Sequence, residues 1–268
     1  MEGNAEASAA GAAVGFDEGW YGAALGAFFA MTVLMFVIVN CFISAPYGRH
    51  VRRGWGFGVA VREAWIIMES PALFVMALVY HTGQFHLLHV PHILLRLHQM
   101  HYIHRTLIFP FRMRADGKAM PMSVVAAGFL FNVFNSYLQA RWISHYGTYS
   151  TSWLSSPQFL LGALLFFGGF AGNIWADNVL LNLRSDKEDR SYKIPRGFLY
   201  EYVSCPNYFC EVVEWLGWAI MTNSLAGFAF FVATLANLGP RAKAHHQWYY
   251  KKFSDYPRSR KALIPFIY

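Results

Sequence analysis

YGAALGAFFAMTVLMFVIVNCFISAPY, residues 21–47, runs without a single Asp, Glu, Lys or Arg. About 20 apolar residues in a helix cross the hydrocarbon core of a bilayer, so this segment places the chain in a membrane. The rest of the chain agrees. It is 56% hydrophobic and 18% aromatic, and only 14% of it is charged, whereas a soluble domain carries roughly 25%. Further apolar runs occupy 65–80 (interrupted by Glu69), 85–108 (rich in His and containing Arg96), 121–140, 157–176 and 215–240. Ahead of them, residues 1–19 are acidic and Ala/Gly-rich and lack the basic start of a signal peptide. They read as a disordered tail before one membrane domain, 20–268.

The net charge of +7 sits between the spans. Arg49, Arg52 and Arg53 follow the first span, and Arg105, Arg112, Arg114 and Lys118 follow the third. Arg184, Lys187, Arg190, Lys193 and Arg196 follow the fifth, and seven more basic residues fill the tail from Arg241 to Lys261. The other connections are nearly uncharged apart from Arg141. By the positive-inside rule the N-terminus lies outside, and the basic loops and C-terminus lie in the cytoplasm. Two basic segments on one side need an even number of crossings between them. One crossing is 215–240, and the other is predicted near 198–210. The prediction is an all-α bundle of seven transmembrane helices. Its membrane is the cytoplasmic one in a bacterium and the endoplasmic reticulum in a eukaryote. The charge pattern gives no reason to expect a nucleic-acid partner, and no protein partner is evident.

Several chemistries find no support. There is no GxGxxG after a strand and no GxxxxGK[ST]; FGGFAGN, 167–173, lies within a span, where small residues favour close helix packing. Cys41, Cys205 and Cys210 form no paired CxxC site and read as small apolar packers. His81, His86, His89, His92, His98, His101 and His104 are dense, but steps of three drift around a helix, so no metal is expected. What remains is a set of polar groups inside spans. Glu69 sits in AWIIMESPALF, 64–74, with no basic residue within a turn, which favours its neutral form. Asn173, Asp177 and Arg184 follow helical spacing, as do Asn207, Glu211 and Glu214. Such groups are costly in lipid and mark functional sites.

Those residues carry a resemblance. QMHYIHRTLIFPF, 99–111, contains H-Y-x-H-R-T at His101, Tyr102, His104, Arg105 and Thr106. Trp65, Glu69 and Pro71 fit A-W-x-x-Q-E-x-P, with Met68 where Gln is usual. YKIPRG (192–197), NYFCEVVEW (207–215), FNSYLQ (134–139) and the closing RAKAHHQWYYKKFSDYPRSRKALIPFIY complete the pattern. Over most of 46–268 the chain resembles the steroid 5-alpha-reductase family. The resemblance implies NADPH-dependent reduction of the 4,5 double bond of 3-oxo-4-ene steroids. It implies that Tyr102 and Glu69 hold the 3-oxo group, with Trp65 and Met68 beside the substrate. Met68 cannot give the hydrogen bond of the usual Gln. The resemblance assigns NADPH to Arg105, Arg114, Asn173, Asp177, Arg184, Tyr192, Lys193, Asn207, Glu211, His245, Tyr249 and Arg260. The substrate is a steroid or sterol-like enone drawn from the bilayer, and the other partner is membrane lipid. Two other readings stay open: an isoprenylcysteine-type methyltransferase using S-adenosylmethionine, and a non-enzymatic lipid-binding protein whose basic tail lies on the membrane.

Overall fold

The computed structural model describes residues 2–42, 54–114, 117–184 and 191–268, with side chains from Gly19 onward. Arg49, Arg52, Arg53, Lys187 and Arg190 of the charge pattern lie outside the described residues. The architecture is all-α. Its helices are α1 (Glu2–Val37), α2 (Val61–Glu69), α3 (Pro71–His81), α4 (His89–Ile103), α5 (Phe109–Arg112), α6 (Met122–Arg141), α7 (Pro157–Asn182), α8 (Pro206–Thr222) and α9 (Leu225–Lys252). A short antiparallel ribbon, β1 (Gly58–Ala60) with β2 (Ala119–Pro121), joins the start of α2 to the start of α6. The backbone of α1 takes in most of the 1–19 stretch expected to be a disordered tail. Among the described residues, four helical segments are long and apolar enough to cross a membrane: Gly19–Phe42, Val61–His81, Pro157–Asn182 and Leu225–Lys252.

Local chemistry sets the boundaries. Pro71 takes the first position of α3, where its missing N–H costs least. The ladder passes through the joint with α2 because Ser70 N–H still donates to Ile66 O at 3.0 Å. The hydroxyl of Ser70 donates to the Ile67 carbonyl at 2.9 Å, the acceptor that Pro71 cannot serve. At α7, Pro157 again comes first and the Ser156 side chain caps the helix by accepting from Phe159 N–H at 3.1 Å.

One expectation is corrected. The run 215–240 is not one span, and 198–210 is not a crossing. Phe198–Glu201 is a single 3₁₀ turn. Asn223 ends α8 in the left-handed conformation (φ 46°, ψ 50°), and Ser224 caps α9 by accepting from Gly227 N–H at 2.8 Å. Two short polar residues with capping geometry override an unbroken hydropathy run. The basic loop and the tail are still separated by two helices, now α8 and α9.

The core brings α7 and α8 face to face, with Phe166, Trp215 and Trp218 buried beneath Tyr102 and Tyr80. Glycines permit the approach. A Cβ on Gly169 would stand 2.5 Å from Cys210 O and Glu214 N, and one on Gly172 would stand 2.6 Å from Cys210 Sγ. The Gly-rich stretch of α7 is thus a packing surface. α1 lies against α6 and α9, and the Tyr21 hydroxyl donates to Leu138 O at 3.1 Å. After α9 the tail folds back onto the body. Lys261 N–H donates to Tyr202 O and Ser204 N–H to Lys261 O, both at 2.9 Å. Tyr256 and Leu263 are buried, so the tail is part of the fold and does not lie free on the membrane.

Candidate active site

The site is built from one face of α4 and its extension. His98, His101, Tyr102 and Arg105 follow helical spacing and are all buried. At His104–Ile108 the helix widens into a π turn, an irregularity that recurs at functional sites. It delivers Arg105 between α7 and α8. The guanidinium pairs with Asp177 (Nη1 to Oδ2, 3.0 Å) and with Glu211 (Nη2 to Oε2, 3.2 Å). Its plane lies over Trp65 at 5.1 Å and Phe109 at 4.8 Å. The Asn207 amide donates to Asp177 Oδ1 at 3.0 Å, while Asn173 donates to Asn207 O at 2.9 Å and to Glu211 Oε2 at 3.4 Å. Six residues predicted from sequence, Trp65, Arg105, Asn173, Asp177, Asn207 and Glu211, therefore form one connected cluster. One cation serves two carboxylates there, which leaves the cluster short of positive charge.

Tyr102 faces the same region. Its ring touches His98 (4.8 Å), His101 (4.9 Å) and Trp215 (5.9 Å), and no described residue hydrogen-bonds its hydroxyl. Glu69, Glu211, Glu214 and Arg105 lie within its electrostatic reach. Beneath it, His101 Nδ1 and Glu214 Oε1 are 2.8 Å apart, both buried. Glu69 reaches the cluster from the C-terminal end of α2. Its Oε2 accepts from the Asn132 amide at 3.1 Å, and the same amide nitrogen donates to Met68 O at 2.8 Å. The Met68 side chain turns to α6, where a Cβ on Gly128 would stand 2.4 Å from its Cγ. Sequence reasoning marks Glu214 by its spacing and His101 by its motif without joining them, and it misses Asn132. The available signal was the presence of amides inside a span without charge, 121–140.

A second cluster lies beyond Asp177. Tyr200 donates to Ala176 O at 3.0 Å, which ties the 192–204 loop to α7. Gly197, at φ 95°, turns that loop so that its N–H meets Glu201 Oε1 at 2.7 Å. Glu201 also accepts from Arg260 (3.4 Å) and Arg196 (3.5 Å). The Gly197 N–H, then the two guanidiniums, hold its carboxyl below the ordinary glutamate range. Arg260 is 1% exposed, stacks on Tyr256, and has no partner among the described residues for its Nε and Nη1. Tyr249 stacks on Tyr256 at 5.0 Å. Arg114 donates to the Arg184 carbonyl. The Arg184 guanidinium lies over Tyr192 at 5.2 Å, and Tyr192 meets Trp248 at 4.8 Å. Lys193 is exposed on the same loop. His245 lies 3.4 Å from the Tyr208 hydroxyl.

Comparison with known proteins adds an independent line. A family model described as 3-oxo-5-alpha-steroid 4-dehydrogenase matches residues 118–268. The steroid 5-alpha-reductase DET2 of Gossypium hirsutum is 47% identical over 232 residues, covering 85% of this chain and 90% of its own. The 3-oxo-5-alpha-steroid 4-dehydrogenase 1 of Bos taurus is 43% identical over 242 residues, covering 89% and 93%. That of Homo sapiens is 42% identical over 227 residues, covering 84% and 87%. Half the chain under one family model, and relatives aligned over most of both lengths, lead to one conclusion: the chain belongs to the 3-oxo-5-alpha-steroid 4-dehydrogenase family of enzymes.

Proposed function

We propose that the protein reduces the 4,5 double bond of a 3-oxo-4-ene steroid with NADPH, within a seven-crossing bundle whose N-terminus is outside. The observation that carries this reading is the free hydroxyl of Tyr102 in the electrostatic field of Glu69. Arg105 bonds Asp177 and Glu211, and among the described residues no cation forms an ion pair with Glu69. As a neutral acid, Glu69 donates to the 3-oxo oxygen together with Tyr102. Both hydrogen bonds strengthen as that oxygen gains negative charge, and in a dry interior this is where most of the rate is won. C5 gains a hydride, C4 then gains a proton, and the enolate returns to a ketone.

The residues present fit a dinucleotide phosphate. Buried Arg260 has two nitrogens, Nε and Nη1, with no described partner, and Arg184 and Lys193 stand on the neighbouring loop. An anion there would satisfy the guanidinium by charge-assisted hydrogen bonds. Bound NADPH supplies the hydride. Asn173, Asp177, Asn207 and Glu211 present the amides and carboxylates suited to its ribose and nicotinamide amide, with Arg105 holding the carboxylates in place. Trp65 and Met68 wall the substrate side. No observation favours the methyltransferase or the lipid-binding reading. The test is to incubate purified protein with NADPH and a panel of 4-ene-3-one steroids and to analyse products by mass spectrometry. The expected product has gained two hydrogens. Absence of that product across the panel, in protein that still binds NADPH, would overturn the reading.

A further inference from the structure

We infer that Asn132 is the residue that orients Glu69, taking over in this chain the amide role that Met68 cannot perform. This inference rests on the proposed reaction. The amide nitrogen of Asn132 sits 2.8 Å from Met68 O and 3.1 Å from Glu69 Oε2. A backbone carbonyl only accepts, so the group facing it is the NH₂ and not the amide oxygen. Both N–H bonds of Asn132 are thereby committed. One grips the backbone at the α2–α3 joint, where Pro71 interrupts the ladder, and the other grips the carboxyl one residue on. Asn132 itself is 6% exposed, which makes its amide costly to leave unpaired.

The consequence for chemistry is directional. A neutral carboxyl has one O–H and one carbonyl oxygen. Oε2 is occupied as an acceptor from Asn132, so the proton resides on Oε1. The Oε1–H is then the donor left for the steroid oxygen, and it cannot be diverted toward α6. Without the amide, the carboxyl rotates freely between its two oxygens and spends part of its time with the proton turned away. Asn132 does not touch the reacting atoms; it is a positioning residue acting through Glu69. The Met68 side chain meanwhile packs on Gly128, a space that a Gln of similar length also fits.

The experiment compares Asn132→Leu, Asn132→Asp and the double variant Met68→Gln/Asn132→Leu with wild type, by steroid turnover, NADPH binding and melting temperature. In Asn132→Leu, kcat is expected to fall about 10- to 100-fold, the loss of one hydrogen bond to a reacting acid. The steroid KM and NADPH affinity should stay near wild type. The double variant, which returns an amide from residue 68, is expected to recover at least part of kcat. Asn132→Asp sets a second carboxyl against Glu69, and such a pair shares a proton. Its pH–rate profile should shift away from that of wild type, because the second carboxyl moves the pH at which Glu69 gives up its proton. Wild-type kcat in Asn132→Leu, or a double variant no faster than Asn132→Leu, overturns the inference. If the Leu variants do not fold, an unchanged pH profile in Asn132→Asp overturns it alone. Glu69→Ala separates this from the parent reading. If Glu69→Ala keeps full turnover, the polarising role of Glu69 falls. If Glu69→Ala is inactive while Asn132→Leu is normal, only the role of Asn132 falls.

Discussion

Single side chains decide the chemistry, and two of them give sharp tests. Tyr102→Phe removes one hydroxyl and leaves the ring stack with His98, His101 and Trp215 in place. Because that hydroxyl bonds no described residue, its loss should not lower the melting temperature. It should lower kcat/KM by about 10²- to 10³-fold, the usual effect of deleting one oxyanion donor. Unchanged turnover in Tyr102→Phe would leave the enone without its main donor and count against the mechanism. Glu201 gives a pH test outside the membrane segments. Its carboxyl is held below the ordinary value of 4.5 in the fold, first by the Gly197 N–H and then by Arg260 and Arg196. A depressed acid contributes stability above its unfolded value and loses it as pH falls through the folded one. Melting temperature should therefore drop as the pH falls below about 4.5. In Glu201→Gln that slope should be shallower, by a small amount because the group is well exposed. Equal slopes would mean that the loop does not depend on this carboxylate.

Between elements, the contact that assembles the site is α7 on α8. Gly169 allows it, and a methyl group there meets Cys210 O and Glu214 N at 2.5 Å, both backbone atoms that cannot swing away. Gly169→Ala should cost about 1–3 kcal/mol by overpacking. It should also slow turnover by parting Asn173 and Asp177 from Glu211 and Asn207. Gly168→Ala, where nothing lies within 4 Å, should be neutral or slightly stabilising, since Ala outranks Gly in a helix. If the two variants melt alike, the close approach is not what holds the pair. This scale also shows what the sequence could and could not convey. Apolar runs mark the segments 19–42, 61–81 and 157–182, and helical spacing sets Asn173 with Asp177 on one face and Asn207 with Glu211 on another, but that the two faces meet is visible only in the fold. The division of α8 from α9 went unread because hydropathy averages over Asn223 and Ser224, while their capping geometry is a property of two backbone dihedrals. Arg105 as a shared counter-ion, and Asn132 as the partner of Glu69, were equally hidden. Each joins residues more than 60 positions apart, and no local pattern encodes such a pairing.

For the whole molecule the question is which ends share a side of the membrane. The second cluster needs the 192–204 loop and the C-terminal tail together, and the structure joins them through the Val203–Lys261 bridge and the Arg260–Glu201 pair. On the proposed reading the cofactor is NADPH, a cytoplasmic compound, which would set both on the cytoplasmic side, and the basic residues of 184–196 and 241–261 favour the same side. With α8 and α9 as two crossings between them, the connection from α6 to α7 falls on the opposite face. A cysteine at Ser152, in a background with Cys41, Cys205 and Cys210 replaced, should react with a membrane-impermeant thiol reagent in intact cells that carry the protein in their cytoplasmic membrane. Cysteines at Ser191 and Ser254 should resist it there and react once the membrane is opened. Labelling of Ser191 and Ser254 from opposite sides would contradict the bridge as well as the seven-crossing arrangement, since residues hydrogen-bonded to each other cannot be separated by a bilayer.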